Sequence, residues 1–308
     1  MNDKSNALDN DSAVFRAMIE VMRPGQWVKN LLVMAGFFFA LGDKTNTLDL
    51  KAAFLRTLLA FVLFCLVSGA VYVMNDLHDV EEDRTHPIKR MRPIASGRLP
   101  GRIAVSWYFA LLAAALAGSL LLGRGFALSV SVYFLLQTLY TYWLKRVVVA
   151  ELIVVAAGFV IRVYAGTAAA GIYASPWLLI CTFMAALFLV TGKRREEKAL
   201  LGDSAGTHRA VLALYDLPML DHCISATAGA TVVCYSIYAT AGDTAAKFGT
   251  ELMVLTVPFV VFGIFRYMYL VLCRGKGGSP ERTLTSDVPT VINIVLYAMV
   301  YFCVMVLA

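Results

Sequence analysis

Apolar runs of roughly twenty residues recur along the chain, broken by short polar segments. A helix needs about 20 mostly apolar residues to cross the hydrocarbon of a bilayer. Nine stretches meet that need, at 26–41, 53–74, 103–122, 125–144, 147–170, 175–192, 221–241, 249–273 and 289–307. Only Lys145-Arg146 divides the fourth from the fifth, which predicts a tight helical hairpin. Inside lipid every backbone polar group must be satisfied internally, so spanning segments are helices or closed barrels, and runs this long select helices. The expected fold is all-α: a polytopic membrane protein with nine transmembrane helices. Residues 1–22 read as a polar N-terminal segment, and 23–308 as a single nine-helix domain.

Composition sharpens this picture by exclusion. Residues of the AVILMFWYC set make up 59% of the chain and charged residues 16%, with mean hydropathy +0.71. A soluble chain is about half apolar and about a quarter charged. Soluble dinucleotide-binding folds, nucleic-acid-binding modules and disulfide scaffolds are therefore excluded, and no nucleic-acid partner is expected. The opening residues are polar and acidic, not a basic start followed by an apolar run, so the first apolar stretch is expected to be retained and not cleaved as a secretory signal. The six cysteines stand singly in apolar segments without a CxxC pair, and they read as small core residues.

The basic residues are placed unevenly. Of 27 Lys and Arg, 19 fall in the segments before spans one, three, five, seven and nine, five fall in the opposite loops, and Lys4, Arg162 and Arg266 fall elsewhere. The positive-inside rule then puts the N-terminus in the cytoplasm and, with nine spans, the C-terminus on the other side of the plasma membrane. Two long polar loops, at 75–102 and about 193–221, share the cytoplasmic face.

The first loop begins Asn75-Asp76-Leu77-His78-Asp79-Val80-Glu81-Glu82-Asp83, so five of the chain's 21 acids lie in eight residues. If the apolar helix continues through it, Asn75, Asp79 and Asp83 share one face with Asp76 beside them. The plain reading is a solvated acidic helix end. Against it, the C-terminal end of a helix disfavours acids, and a cation answers that penalty. Oxygen ligands of this kind suit Mg²⁺, held by one or two carboxylates together with waters and substrate phosphates. Lys89, Arg90 and Arg92 follow directly. They read either as the positive-inside signal and attraction to anionic headgroups, or as a wall for a polyphosphate, which arginine forks bind bidentately.

Asn75-Asp76-x-x-Asp79-x-x-x-Asp83 after the second span, then Arg92-Pro93-x-x-x-Gly97, resembles the UbiA superfamily of intramembrane prenyltransferases, and nine spans with two polar loops extend the likeness over nearly the whole chain. Arg23-Pro24-Gly25-Gln26-Trp27-Val28-Lys29-Asn30 is similar to the opening of that family's decaprenyl-phosphate phosphoribosyltransferase branch. The resemblance implies a helical bundle, an Mg²⁺-bound diphosphate donor (here phosphoribosyl pyrophosphate) and a polyprenyl phosphate acceptor. The second loop departs from the aromatic prenyltransferases: where they carry DxxxD, this chain has Gly192-Lys193-Arg194-x-x-Glu197. Asp216 and Asp221 read as capping residues of span seven or as a displaced remnant of that motif.

Arg162 lies inside an apolar run, where a charge costs about 2.5 kcal/mol or more. It is expected either to pair internally, with Glu151, or to bind a substrate phosphate, as the branch's IRxxAG pattern implies. Tyr140 and Lys145 match a YSxxLK-like segment of the branch; Lys145 then reaches a phosphate or snorkels to the interface. The implied assignment gives Asn75, Asp76, Asp79 and Asp83 to the metal and Lys29, Lys89, Arg90, Arg92, Arg162, Lys193 and Arg194, with Asn75, Tyr140, Lys145 and Glu197, to substrate. An aromatic-acceptor prenyltransferase is the rival enzyme, and a transporter the rival class. Acids gathered at one rim, without internal repeats, speak against the transporter. Oligomeric state is not legible. Asp79→Asn is expected to abolish transfer while leaving folding intact, checked by turnover of purified protein beside its thermal melt.

Overall fold

The computed structural model describes residues 2–41, 43, 47–202 and 210–307. Lys44 and Arg209, counted above among the loop cations, lie outside the described residues, as does part of the second loop. The elements are helical throughout. They are α1 (Asn2–Val21), α2 (Ala35–Ala40), α3 (Leu50–His78), α4 (Val80–Thr85), α5 (Gly101–Leu120), α6 (Arg124–Tyr142) and α7 (Ala150–Ala170), followed by α8 (Pro176–Leu201), α9 (Ala210–Ala213), α10 (Leu217–Thr240), α11 (Gly242–Phe248), α12 (Val257–Arg274), α13 (Pro280–Ser286) and α14 (Val288–Leu307). Among the described residues seven helices are long and apolar enough to cross a membrane: α3, α5, α7, α8, α10, α12 with the turn before it, and α14. The fourth expected span forms the 19-residue α6.

The first expected span takes a different form. Residues Pro24–Met34 make a 3-10 helix, and the α-helical part is only Ala35–Ala40. Arg23 precedes it in the left-handed region, at φ 54° and ψ 65°, a conformation that costs a non-glycine residue about 1 kcal/mol or more. The polar segment 1–22 is also ordered locally as a helix: α1 buries Ala17 and Val21 and leaves Phe15 exposed. Arg98 holds its end, donating to both carboxylate oxygens of Glu20 at 2.7 and 2.8 Å. That hydrogen-bonded guanidinium keeps the Glu20 carboxyl below its ordinary range.

The chain divides into two compact units. One comprises Met1–Phe37, Asp49–Thr141 and Ile161–Ile172; the other comprises Phe38–Leu48, Tyr142–Val160 and Tyr173–Ala308. In the first, α3 is the central element. Asp49 caps its start by accepting from the amides of Lys51 and Ala52, which satisfies donors that have no intrahelical partner. Phe64, Val67 and Val71 of α3 pack with Phe126 and Val130 of α6 and Ala165 of α7. Arg56 donates to the carbonyls of Leu122 and Ala169 at 2.9 and 2.7 Å, so one cation serves the ends of two chain segments. The second unit has its own core, with Tyr215 and Leu220 beside Leu152, and Phe188 against Tyr267.

Membrane helices gain little from burying apolar surface away from lipid, so small residues that allow close approach carry much of the association. Gly166 of α7 shows this. A Cβ there would fall onto the carbonyl oxygen of Val33, a backbone atom that no side-chain rotation relieves. Gly166→Ala is expected to destabilise the protein by about 1–3 kcal/mol or more, read as a lowered melting temperature in detergent.

Candidate active site

The helix expected to run through the acidic loop stops at Asp79, whose φ of −94° and ψ of 11° end α3 before α4 begins. Across this junction the Asp79 amide donates to the Asn75 carbonyl at 2.9 Å and the Asp83 amide to the Asp79 carbonyl at 2.8 Å, so the four-residue spacing of Asn75, Asp79 and Asp83 carries through the turn. The turn has a further consequence. It buries Asp76 and Asp83, at 2% and 1% exposure, on one guanidinium. Arg92 donates to Asp76 Oδ1 at 3.1 Å and to Asp83 Oδ2 at 2.6 Å. Arg23 also pairs with Asp76, with its guanidinium 4.8 Å from the centre of the Tyr72 ring. Lys89 Nζ stands 4.0 Å from Asp83 Oδ1.

Two buried carboxylates joined by arginine are stable only because each charge has a partner; removing one partner of a buried pair costs several kcal/mol. One acceptor is left over. Asp83 Oδ1 has no hydrogen-bond partner among the described residues, and buried acceptors are seldom left so. Among those residues no three His, Cys, Asp or Glu side chains form a ready-made cage for a metal. Two carboxylates and a spare oxygen nevertheless fit Mg²⁺, which takes few protein ligands and completes its octahedron with water and phosphate. Asn75 accepts from the hydroxyl of Thr141. Asp79 is half-buried, with His78 Nε2 at 3.9 Å.

Arg162 is buried. It donates from Nε to Asn30 Oδ1 at 2.8 Å and from Nη2 to Tyr133 Oη at 2.8 Å, over the Tyr133 ring at 4.7 Å. Asn30, itself 1% exposed, donates to Ser68 Oγ at 3.0 Å and to Cys65 Sγ at 3.4 Å. Glu151 instead receives Arg194 Nε at 2.9 and 3.1 Å, and Arg194 Nη1 reaches Glu197 at 2.8 Å. Arg194 is thus enclosed by two carboxylates within its own unit. Lys193 is more open, 4.0 Å from Glu197. Asp216 caps α10 through the amide of Met219, while Asp221 pairs with Arg195 at 3.0 Å. Lys29, Tyr140 and Lys145 are half-buried and Arg90 is exposed.

Sequence reasoning missed three members of these networks. Arg23 and Asn30 stood in the quoted opening motif without a role; Asn30 carried a usable signal, an amide inside an apolar run. Tyr133 carried none, since an aromatic in a membrane helix is ordinarily packing.

The model of the UbiA prenyltransferase family matches residues 30–283. The chain belongs to that family. A UbiA homologue from Archaeoglobus fulgidus, solved bound to DMAPP and Mg²⁺, superposes with a TM-score of 0.70 at 21% identity, covering 94% of this chain and 99% of that one, and so shares the UbiA fold. Nearer in sequence is the decaprenyl-phosphate phosphoribosyltransferase of Mycolicibacterium smegmatis, 35% identical over 277 residues and covering 88% of this chain and 86% of that one. The enzyme of the same name from Mycobacterium tuberculosis is 37% identical over 270 residues, 88% of each chain.

Within this UbiA chain the Arg194–Glu151 pair separates a scaffold role from substrate binding. Either Arg194→Met or Glu151→Leu alone is expected to destabilise by about 3–5 kcal/mol, and the two together by far less. Thermal melts of the three variants check the coupling. Transfer by the double variant then reads whether Arg194 also serves phosphate.

Proposed function

We propose that the protein transfers 5-phosphoribose from phosphoribosyl pyrophosphate to a polyprenyl phosphate of the decaprenyl type, releasing pyrophosphate, in the synthesis of cell-envelope precursors. The observation that carries this reading is 35–37% identity, over most of both chains, to enzymes bearing that name. The carboxylate–arginine network at Asp76, Asp83 and Arg92 supports it with suitable chemistry.

In the reaction a phosphate oxygen of the lipid forms a bond to C1 of the ribose, and the bond from C1 to the pyrophosphate oxygen breaks. The lipid phosphate is already anionic at neutral pH, so no strong general base is required. Asp76 and Asp83, with Asn75 and Asp79, would hold Mg²⁺, whose positive charge would supply stabilisation of the pyrophosphate leaving group. Arg92 is prepositioned by its two carboxylates, and with Lys89 and Arg90 it binds phosphate oxygens that reach the loop. Such fixed donors act without reorganising as charge develops. Lys29, Tyr140, Lys145, Arg162 and Lys193 are the remaining candidates for phosphate contact, with Arg194 and Glu197 setting the shape of the second loop.

The same reading takes the seven long apolar helices together with α6 and the 24–40 segment as nine crossings of the plasma membrane. The N-terminus and both polar loops are cytoplasmic, and the C-terminus lies opposite.

The test is a donor competition with purified protein and Mg²⁺. Radiolabelled phosphoribosyl pyrophosphate with polyprenyl phosphate is expected to give a lipid-linked phosphoribose, lost on chelation of the metal. Product from a prenyl diphosphate and hydroxybenzoate instead would replace this function with aromatic prenylation.

A further inference from the structure

We propose that His86 is a positioning residue: its imidazole fixes the turn that presents Lys89, Arg90 and Arg92 to the donor. The proposal rests on the reading above, in which these cations bind the donor's phosphates, and adds what holds them in place.

The stretch from Thr85 to Arg92 must carry the chain away from Asp83 and bring Arg92 back to it. Burial does not hold it there, since Ile88 and Met91 are 78% and 66% exposed. Its one helical piece is the 3-10 turn Lys89–Met91. So short a turn makes few bonds of its own and leaves its first amides without a helical partner. Pro87 has no amide to offer, and Ile88, at the N-cap, has no polar side chain with which to accept.

The His86 side chain meets that need. Its Nδ1 accepts from the amides of Ile88 and Lys89, at 3.1 and 3.2 Å. Both bonds use the lone pair of Nδ1, so the ring is the tautomer that carries its proton on Nε2. The backbone of the same residue completes the frame. Its amide donates to the Asp83 carbonyl and its carbonyl accepts from the Arg90 amide, each at 3.2 Å. His86 itself is extended, at φ −82° and ψ 134°, as a following proline favours. One residue thus ties Asp83, Ile88, Lys89 and Arg90 together.

Beyond it the Arg92 amide donates to the Lys89 carbonyl at 2.9 Å, and Arg98 donates to the Met91 carbonyl at 2.7 Å. Arg92 is also fixed through its side chain by Asp76 and Asp83. Lys89, in contrast, has only a loose 4.0 Å pairing with Asp83, and Arg90 is exposed. Where these two cations stand is therefore set by the backbone of the turn, and so by the imidazole that closes it. An asparagine oxygen accepts from the amide two residues on in the same way. A phenylalanine ring fills the space and accepts nothing.

The experiment uses the full-length protein in nanodiscs with two substitutions, His86→Phe and His86→Asn. Calorimetric titration with magnesium pyrophosphate needs neither ribose nor acceptor, so it reads the loop whatever group is transferred. His86→Phe is expected to weaken pyrophosphate binding about three- to tenfold, and His86→Asn to restore it to within about twofold, with parental melting temperatures in both. Limited trypsin digestion needs no ligand. Cleavage after Lys89 and Arg90 is expected to quicken several-fold in His86→Phe and not in His86→Asn, because a protease takes the locally opened chain. In turnover with phosphoribosyl pyrophosphate the loss is expected in KM, with kcat near that of the parent. Parental affinity in a well-folded His86→Phe protein would overturn the proposal, with or without faster cleavage, and so would equal weakening in both variants. A parent protein that does not bind magnesium pyrophosphate would overturn the phosphate reading of the loop and this proposal with it.

Discussion

A carboxylate buried at the edge of hydrocarbon keeps its charge only if a cation shares its burial, and the first unit is organised around that constraint. Asp76 and Asp83 are both almost fully enclosed, and Arg92 bridges them. The bridge ties the end of α3 to the loop beyond α4. Arg23 adds a second tie to Asp76 from the chain ahead of the 3-10 helix, in a backbone conformation that arginine seldom adopts. Strain of this kind persists where surrounding interactions over-determine the geometry. Here an ion pair and a ring contact with Tyr72 supply them.

The rest of the unit serves to keep those charges fixed. Gly166 lets α7 approach the 3-10 segment backbone to backbone, and that approach lets Asn30 accept from Arg162 across 132 residues of sequence. In the second unit Arg194 sits between two carboxylates, so its charge is met within the protein.

Several expectations depended on local pattern and held. Apolar run length located α3, α5, α7, α10 and α14 within a few residues and found α8 and α12, although α8 runs nine residues further to Leu201, because the bilayer imposes a length on a crossing helix whatever its neighbours. The quoted motifs pointed to the family matched over 30–283. One expectation needed helix continuity and did not hold. A continuous first span presumed that apolarity implies α-helix, yet Pro24–Met34 is 3-10. Glu151, read from the sequence as a partner for Arg162, pairs with Arg194.

The sequence by itself determined the membrane class, the helical fold, the acidic and basic loops and the family, since each follows from composition or from spacing within about ten residues. Tertiary structure alone decided which carboxylate meets which cation, and that Asp83 keeps an unused oxygen. The division has a physical cause. Hydropathy and helix length are properties of a segment in its solvent, whereas the partner of a buried charge is set by packing between segments dozens of residues apart.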